Sequence, residues 1–134
     1  MLYEVCEPVA RADLRTLTSA FADLRDTLLS FRATWGVGRA IAAPQIGLMK
    51  RIVFLERVSN VSLENRSGIR TPTPLINPKL TNLSAETVEL WDDCMSFPEL
   101  FVRVRRHASC EITYRDLDWR QHRVRLTGDL SELL

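Results

Sequence analysis

Gly38-Arg-Ala-Ile-Ala-Ala-Pro-Gln45 is the stretch on which the interpretation of this sequence depends. Mostly small residues surround one amide side chain, Gln45, so a neighbouring backbone or a ligand can approach it closely. The side-chain N–H groups of a glutamine can donate to an oxygen that becomes an oxyanion during a reaction. On composition alone, the favoured interpretation is a loop glutamine that satisfies nearby carbonyl groups.

An amphipathic helix is predicted immediately before this stretch. Its apolar residues are spaced three and four positions apart: Leu14, Leu17, Phe21, Leu24, Leu28 and Phe31. Asp13 is a candidate N-cap, because a carboxylate accepts hydrogen bonds from the free N–H groups of a first turn. Gly36 and Gly38 are expected to end the helix. A single stripe of this length favours a helix that packs on the core rather than on a partner.

Strands are predicted on the carboxyl side of the stretch. Residues 51–57 have the pattern of a strand, and the polar residues from about 59 to 73 are expected to form an exposed loop. Residues 74–78 are predicted to be extended, because proline at both ends excludes a helix.

Beyond Leu83 apolar and polar residues alternate, which is typical of strands with two different faces. The positions that share a face are Val88 with Leu90, Val102 with Val104, Cys110 with Ile112 and Tyr114, and His122 with Val124 and Leu126. A turn is expected at residues 116–120, and a second helix is expected to open near Thr127 or Asp129. The order of these elements predicts one α+β domain over residues 1–134.

The composition is that of a globular protein with an ordinary core. The 134 residues carry a net charge of +1, with 46% hydrophobic and 26% charged residues, which excludes a disordered chain and implies no acidic polymer as partner. The longest apolar runs, such as residues 52–55, are far shorter than the ~20 residues that span a bilayer. Arg103, Arg105 and Arg106 form a basic cluster without an aromatic stacking platform, so nucleic-acid binding is not predicted.

Three cysteines and two histidines are the candidates for nucleophilic or metal chemistry. The cysteines are odd in number and far apart, which favours a reducing compartment over a disulfide framework. Cys94 lies between two strand-like stretches and is a candidate metal ligand or nucleophile, whereas Cys110 is expected in the core and Cys6 has no supporting context. His107 and His122 are candidate bases for Cys94 in a thiol hydrolase, although strand positions explain both.

Two motifs together resemble those of peptide deformylases. Residues 38–45 are similar to G-x-G-x-A-A-x-Q, and Asp92-Asp-Cys-Met-Ser96 is similar to E-G-C-x-S. The resemblance extends over nearly the whole chain, including Ile76-Asn-Pro78 and Phe97-Pro98. Peptide deformylases remove the formyl group from the formyl-methionine that begins new polypeptides.

The resemblance implies a fold, a set of site residues and a cellular role. The fold would be α+β, with an N-terminal helix packed on antiparallel or mixed β-sheets. Cys94 would be the thiolate ligand of Fe²⁺, or of Zn²⁺ or Ni²⁺, while Gln45 and the backbone N–H of Met95 would donate to the formyl oxygen. The substrate-binding residues would be Gly38, Ala40, Asp92 and Phe97. The partners would be N-formylmethionyl nascent peptides, with association with the ribosome, a cytoplasmic location, and no direct contact with nucleic acid or membrane.

The sequence departs from the family pattern in both motifs. Ala40 replaces a glycine and is expected to crowd the backbone that pairs with the peptide substrate. Asp92 and Asp93 replace a Glu-Gly pair. Asp92 is still expected to make a carboxylate contact, with Arg106 as its partner, whereas Asp93 stands where a glycine often adopts unusual backbone angles.

The third family motif, H-E-x-x-H on a C-terminal helix, would lie just beyond Leu134, and residues 129–134 look like the first turns of that helix. The resemblance therefore predicts a chain that is truncated before its metal-binding helix and short at its N-terminus. Because Cys94 alone cannot hold a catalytic metal, such a chain is expected to bind no metal stably and to be inactive. The alternatives are a natural pseudoenzyme that binds peptides or regulates, and a thiol hydrolase that uses Cys94 with His122.

Overall fold

The structure, a computed structural model, describes residues 3–56, 69–128, 131, 133 and 134. Within them the predicted α+β class is confirmed, with short 3-10 helices at Arg11–Arg15 and Ala43–Ile46. The long helix α1 spans Thr18–Trp35, and the strands are β1 Ala40–Ala42, β2 Ile52–Leu55, β3 Thr73–Thr81, β4 Thr87–Cys94, β5 Phe97–His107, β6 Ser109–Arg115 and β7 Gln121–Thr127. None of the described helices has the length and apolar character needed to cross a membrane.

Helix α1 begins later than the sequence predicts. Leu14 belongs to the preceding 3-10 helix, and Asp13 accepts a hydrogen bond from the backbone N–H of Ala10 at 2.9 Å. The expectation that Asp13 caps the long helix is therefore wrong, because its carboxylate closes the short helix instead. The predicted end is confirmed, since Gly36 adopts φ 74° and donates its N–H to the carbonyl of Arg32.

The strands form two antiparallel sheets. A five-stranded sheet has the order β1-β2-β3-β6-β7, and β4 pairs with β5 alone. Strand β3 is longer than predicted, because an irregularity between Ile76 and Lys79 lets it continue past Asn77 and Pro78. Up to position 68, the predicted exposed loop at residues 59–73 lies outside the described residues. Beyond that position the prediction is wrong, because Ile69 is buried in the core and β3 already begins at Thr73. The predicted helix opening at Asp129 also lies outside the described residues.

The five-stranded sheet has an apolar cluster on each face. Leu24 and Leu28 of α1 pack against one face, which presents Ile41, Ile52, Phe54 and Ile76. The other cluster contains Leu55, Leu75, Cys110, Ile112, Tyr114 and Leu126, so the prediction that Cys110 is a core residue is confirmed. Leu133 and Leu134 pack against this second cluster, and the hydroxyl of buried Ser131 donates to the carbonyl of His107 at 2.9 Å. The described C-terminal residues are thus docked on the sheet.

The β4–β5 hairpin carries Cys94 at its tip. Asp93 pairs with Phe101, and Cys94 pairs with Phe97 after an irregularity in the register. Several large apolar side chains of the hairpin are exposed, namely Trp91, Phe97, Leu100, Phe101 and Val102. The alternation predicted for these strands is present, but it does not produce a buried face.

Candidate functional site

A hydrogen bond from the backbone of Ala42 orients the side-chain amide of Gln45, so that its nitrogen points to the hairpin tip. It lies on the 3-10 helix Ala43–Ile46, and its Oε1 accepts from the backbone N–H of Ala42 at 2.8 Å. Its Nε2 is 3.2 Å from the hydroxyl oxygen of Ser96 and 3.9 Å from the sulfur of Cys94. One half of the amide therefore satisfies the backbone, and the other half offers N–H donors beside the thiol.

The two aspartates before Cys94 behave differently. Asp92 accepts from the guanidinium of Arg106 at 2.7 Å, which confirms the predicted contact. The described non-glycine residues with positive φ are Asn77, Asn82 and Trp119, so Asp93 has ordinary backbone angles in the place of a family glycine. The substitution at this position thus introduces a negative charge without backbone strain.

A cavity of about 460 Å³ lies where the end of α1, the segment after it and the hairpin tip meet. Among the predicted site residues it is lined by Gly38, Ala40, Gln45, Asp92, Cys94 and Met95. Phe97, predicted to bind substrate, is instead found on two smaller neighbouring cavities, because the turn at the tip directs it away. The structure thus brings together every predicted site residue but one.

The rest of the cavity lining was not predicted. It consists of Phe31, Arg32, Gly36, Val37, Arg39, Asp93 and Leu133. Gly38 explains how the helix end comes so close. Its φ is +126°, and a Cβ there would lie 3.2–3.3 Å from the side chains of Leu28, Phe31 and Arg32. The signal available in the sequence was that the motif at residues 38–45 directly follows the last turn of the predicted helix, so that this turn had to lie beside the site.

The described residues do not fit a catalytic metal ion. Such an ion needs about three protein ligands, and no group of three His, Cys, Asp or Glu side chains that could hold one occurs in the described part of the chain. Nδ1 of His107 is 2.7 Å from the carbonyl of Ser84, and Nε2 of His122 is 2.7 Å from a carboxylate oxygen of Asp116. Both histidines are thus engaged within the strands, and Cys94 offers a single ligand.

The thiol-hydrolase alternative finds no support in this arrangement. A base for Cys94 has to lie within hydrogen-bond reach of its sulfur. Neither histidine is among the residues that line these three cavities, all of which Cys94 lines. His122 is instead stacked on Tyr114 with ring centroids 5.0 Å apart, which fits its role in the β6–β7 hairpin.

Comparisons with known proteins all point to the same family. The family model described as polypeptide deformylase matches residues 1–134. A peptide deformylase of Chloroflexus aurantiacus is 32% identical over 130 residues, which cover 93% of this chain and 66% of that protein. The chain thus spans slightly less than two thirds of the length of this relative.

Solved structures are similar in fold. A probable peptide deformylase from Synechococcus phage S-SSM7 matches with a TM-score of 0.79 and 22% identity, over 98% of this chain and 80% of the phage chain. A Met-Ala-Ser-bound class I type b peptide deformylase from Acinetobacter baumannii matches with a TM-score of 0.75 and 20% identity, again over 98% and 80% of the two chains. At these identities the likeness concerns the fold.

Proposed function

The chain belongs to the peptide deformylase family, as its two motifs predicted, and on that premise we propose that it binds formyl-methionyl ends of new polypeptides beside Cys94. Peptide deformylases are metal-dependent hydrolases that act on such ends. In this proposal the cavity of about 460 Å³ receives the first residues of the peptide. The bound formyl group then lies against the hairpin tip.

The orientation of Gln45 is the observation that carries this proposal. Because Oε1 is occupied by the N–H of Ala42, the amide cannot turn over without losing that bond, and Nε2 stays directed at Cys94. The N–H groups of Gln45 and the backbone N–H of Met95 would donate to the formyl oxygen as negative charge develops on it. A neutral amide suits this task, because it keeps its donors at every physiological pH.

The lining of the cavity supports a methionine side chain next to the formyl group. Phe31, Val37, Met95 and Leu133 provide an apolar wall, and a thioether adapts well to an irregular apolar site. The Acinetobacter baumannii neighbour binds Met-Ala-Ser, a peptide that begins with methionine. The physiological partners would then be nascent chains at the ribosome, in the cytoplasm.

Hydrolysis requires more than the described residues offer. Cys94 would be one soft thiolate ligand of a divalent metal, with Fe²⁺, Zn²⁺ or Ni²⁺ as candidates. Further ligands would have to come from residues other than those described, since these contain no suitable group. We therefore propose that the 134-residue chain by itself binds the peptide and releases no formate.

A binding experiment with formyl-Met-Ala-Ser and unformylated Met-Ala-Ser tests the role of Gln45. The wild-type chain should prefer the formylated peptide. In Gln45→Glu the acceptor for Ala42 remains but the donor is lost, so this preference should fall by about tenfold, the equivalent of about 1.4 kcal/mol for one hydrogen bond. Titration calorimetry gives both affinities.

Gln121→Glu is the matched control, because it makes the same chemical change at an exposed position on β7 and should leave the preference unchanged. Gln45→Leu, checked for folding by circular dichroism, separates loss of the donor from the added charge. Equal binding of the two peptides by the wild-type chain would contradict the proposal. Formate release by a mass-verified 134-residue chain loaded with Ni²⁺ would contradict the part that concerns metal ligands.

A further inference from the structure

A second cavity, of about 270 Å³, brings together two cysteines that lie far apart in the sequence. Cys6 and Cys94 both line it, as does Gln45. Cys94 is exposed, Cys6 is half-buried, and both are free thiols. Glu4 lines the same cavity, but no three ligand-type side chains of the described residues form a metal group, so the pair is not a metal site.

We propose that Cys6 and Cys94 are a peroxide-responsive thiol pair that closes into a disulfide. The proposal concerns the thiols alone and does not depend on deformylase activity. Disulfides in a reducing compartment are usually transient and sense the redox state.

The residue that follows Cys6 is anchored by hydrogen bonds beside this cavity. The N–H of Glu7 donates to the carbonyl of Met49, and the carbonyl of Glu7 accepts from the N–H of Arg51, at 3.0 and 2.9 Å. The Glu7 carboxylate also accepts from the ammonium of Lys50 at 2.8 Å. Cys6 therefore directly precedes a residue that is held by three hydrogen bonds.

The opposite wall is the tip of the β4–β5 hairpin. Cys94 stands at the point where the register of the two strands becomes irregular, and its neighbours Asp93 and Ser96 are exposed. Formation of a disulfide requires the Cβ atoms to come within about 3.5–4.5 Å of each other. The exposed tip, rather than the anchored segment, is the part that would move across the cavity.

The chemistry is a balanced two-electron oxidation. The Cys94 thiolate attacks hydrogen peroxide, which breaks the O–O bond, forms sulfenic acid and releases hydroxide. The Cys6 thiolate then attacks the Cys94 sulfur, so that the S–S bond forms and a second hydroxide leaves. Two protons from the original thiols turn both hydroxides into water. A dithiol reductant restores the two thiols by exchange.

Cys110 provides an internal reference for this reaction. It is only 3% exposed, and its sulfur accepts from the hydroxyl of Ser131 at 3.8 Å. Because access controls thiol oxidation, Cys110 should stay reduced in the folded protein. The structure thus distinguishes a reactive pair from an unreactive third cysteine.

Mass spectrometry after stepwise addition of hydrogen peroxide to the metal-free chain tests the proposal. The wild-type chain should lose two hydrogen atoms in mass, retain one alkylatable thiol at Cys110, and yield a peptide pair joined through Cys6 and Cys94. Cys110→Ser should behave in the same way. In Cys6→Ser the sulfenic acid at Cys94 has no resolving thiol, so its sulfinic and sulfonic forms should increase by about tenfold over the wild type.

Overoxidation of Cys94 in the wild-type chain to the same extent as in Cys6→Ser would overturn the proposal. So would a disulfide that includes Cys110, or one that joins two chains through Cys94 while Cys6 stays free. Cys6→Ala is a second variant that removes the thiol without adding a hydroxyl. Circular dichroism before oxidation verifies that both variants are folded.

Discussion

The five-stranded sheet and the β4–β5 hairpin are built from similar alternating sequences, yet they differ in burial. The sheet contains fully buried side chains such as Leu55, Leu75 and Ile76, whereas no residue of β4 or β5 is buried. The candidate site lies where the two regions meet, with Gln45 on the sheet side and Cys94 on the hairpin. The proposed donor for the formyl oxygen thus belongs to the packed region, and the thiol belongs to the region with few buried contacts, which is expected to open more easily.

Shortening a leucine in each region is the strongest way to test this comparison. Leu28→Ala removes a side chain that is wholly buried between α1 and the sheet, and should lower the free energy of unfolding by about 2–5 kcal/mol. Leu100→Ala makes the same change on the hairpin, where the side chain is 53% exposed, and should cost less than about 1 kcal/mol. Urea unfolding followed by circular dichroism measures both.

Comparable losses in the two leucine variants would break the comparison. They would mean that the hairpin is packed in solution against something that the described residues do not include. Analytical ultracentrifugation of the wild-type chain at several concentrations would then tell whether a second copy covers the hairpin.

Two asparagines with similar backbone angles allow a finer test. Asn77 donates to the carbonyl of Val9 and accepts from its N–H, both at 2.8 Å, in a partly buried position of β3. Asn77→Ala should cost about 1–3 kcal/mol, since it leaves both backbone groups of Val9 without this partner. The measurement is again the free energy of unfolding in urea.

Asn82→Ala is the matched control for this variant. Asn82 has φ 48°, close to the 51° of Asn77, so the cost of holding alanine at a positive φ is expected to be similar in both. Its side-chain hydrogen bond to Glu111 is exposed and should contribute less. If the two variants were equally destabilised, the bonds to Val9 would add nothing beyond the backbone effect.

The smallest expected effect is the loss of stability at acidic pH that comes from Asp116 in the β6–β7 turn. Partial burial acts to raise the pKa of Asp116, but hydrogen bonds with His122, Arg120 and Asp118 outweigh it and hold the pKa below the usual 3.8. A lowered carboxyl pKa gives stability that is present above the unfolded pKa and is lost as the pH falls through the folded pKa. The turn should therefore contribute less than about 1 kcal/mol to the free energy of unfolding, and this contribution should be lost below about pH 4.

Thermal melts between pH 7 and pH 3 measure this contribution. Asp116→Asn should show a smaller decrease of the melting temperature on acidification than the wild type. Asp118→Asn removes one carboxylate from the same turn and should follow the wild-type profile. An Asp116→Asn profile that coincides with the wild type would show that the hydrogen bonds of the Asp116 carboxylate do not contribute to the acid dependence of stability.

The sequence predicted features that depend on local pattern and on the motifs. The helix end at Gly36, the pairing of Asp92 with Arg106 and the position of Gln45 beside Cys94 follow from local chemistry or from the family resemblance. These features are confirmed because each depends on few residues.

Features that depend on tertiary packing were not predictable. The helical stripe that includes Phe31 gives no sign that it ends at a cavity. Cys6 has no context in the sequence because Cys94, which lines the same cavity, is distant along the chain. The alternation in β4 and β5 indicated strands, but periodicity does not reveal whether anything covers their apolar side. Asp13 was placed at the wrong helix because a carboxylate can cap a 3-10 turn equally well.

The bonds between Asn77 and Val9 have a consequence for how the protein becomes ordered during its synthesis. The backbone of Val9 is synthesised 68 residues before its partner, the Asn77 side chain of β3. Pairing the two closes a long loop, whose entropy has to be overcome before the contact contributes. The segment around Val9 is therefore expected to stay exposed to the solvent until the middle of the sheet has formed.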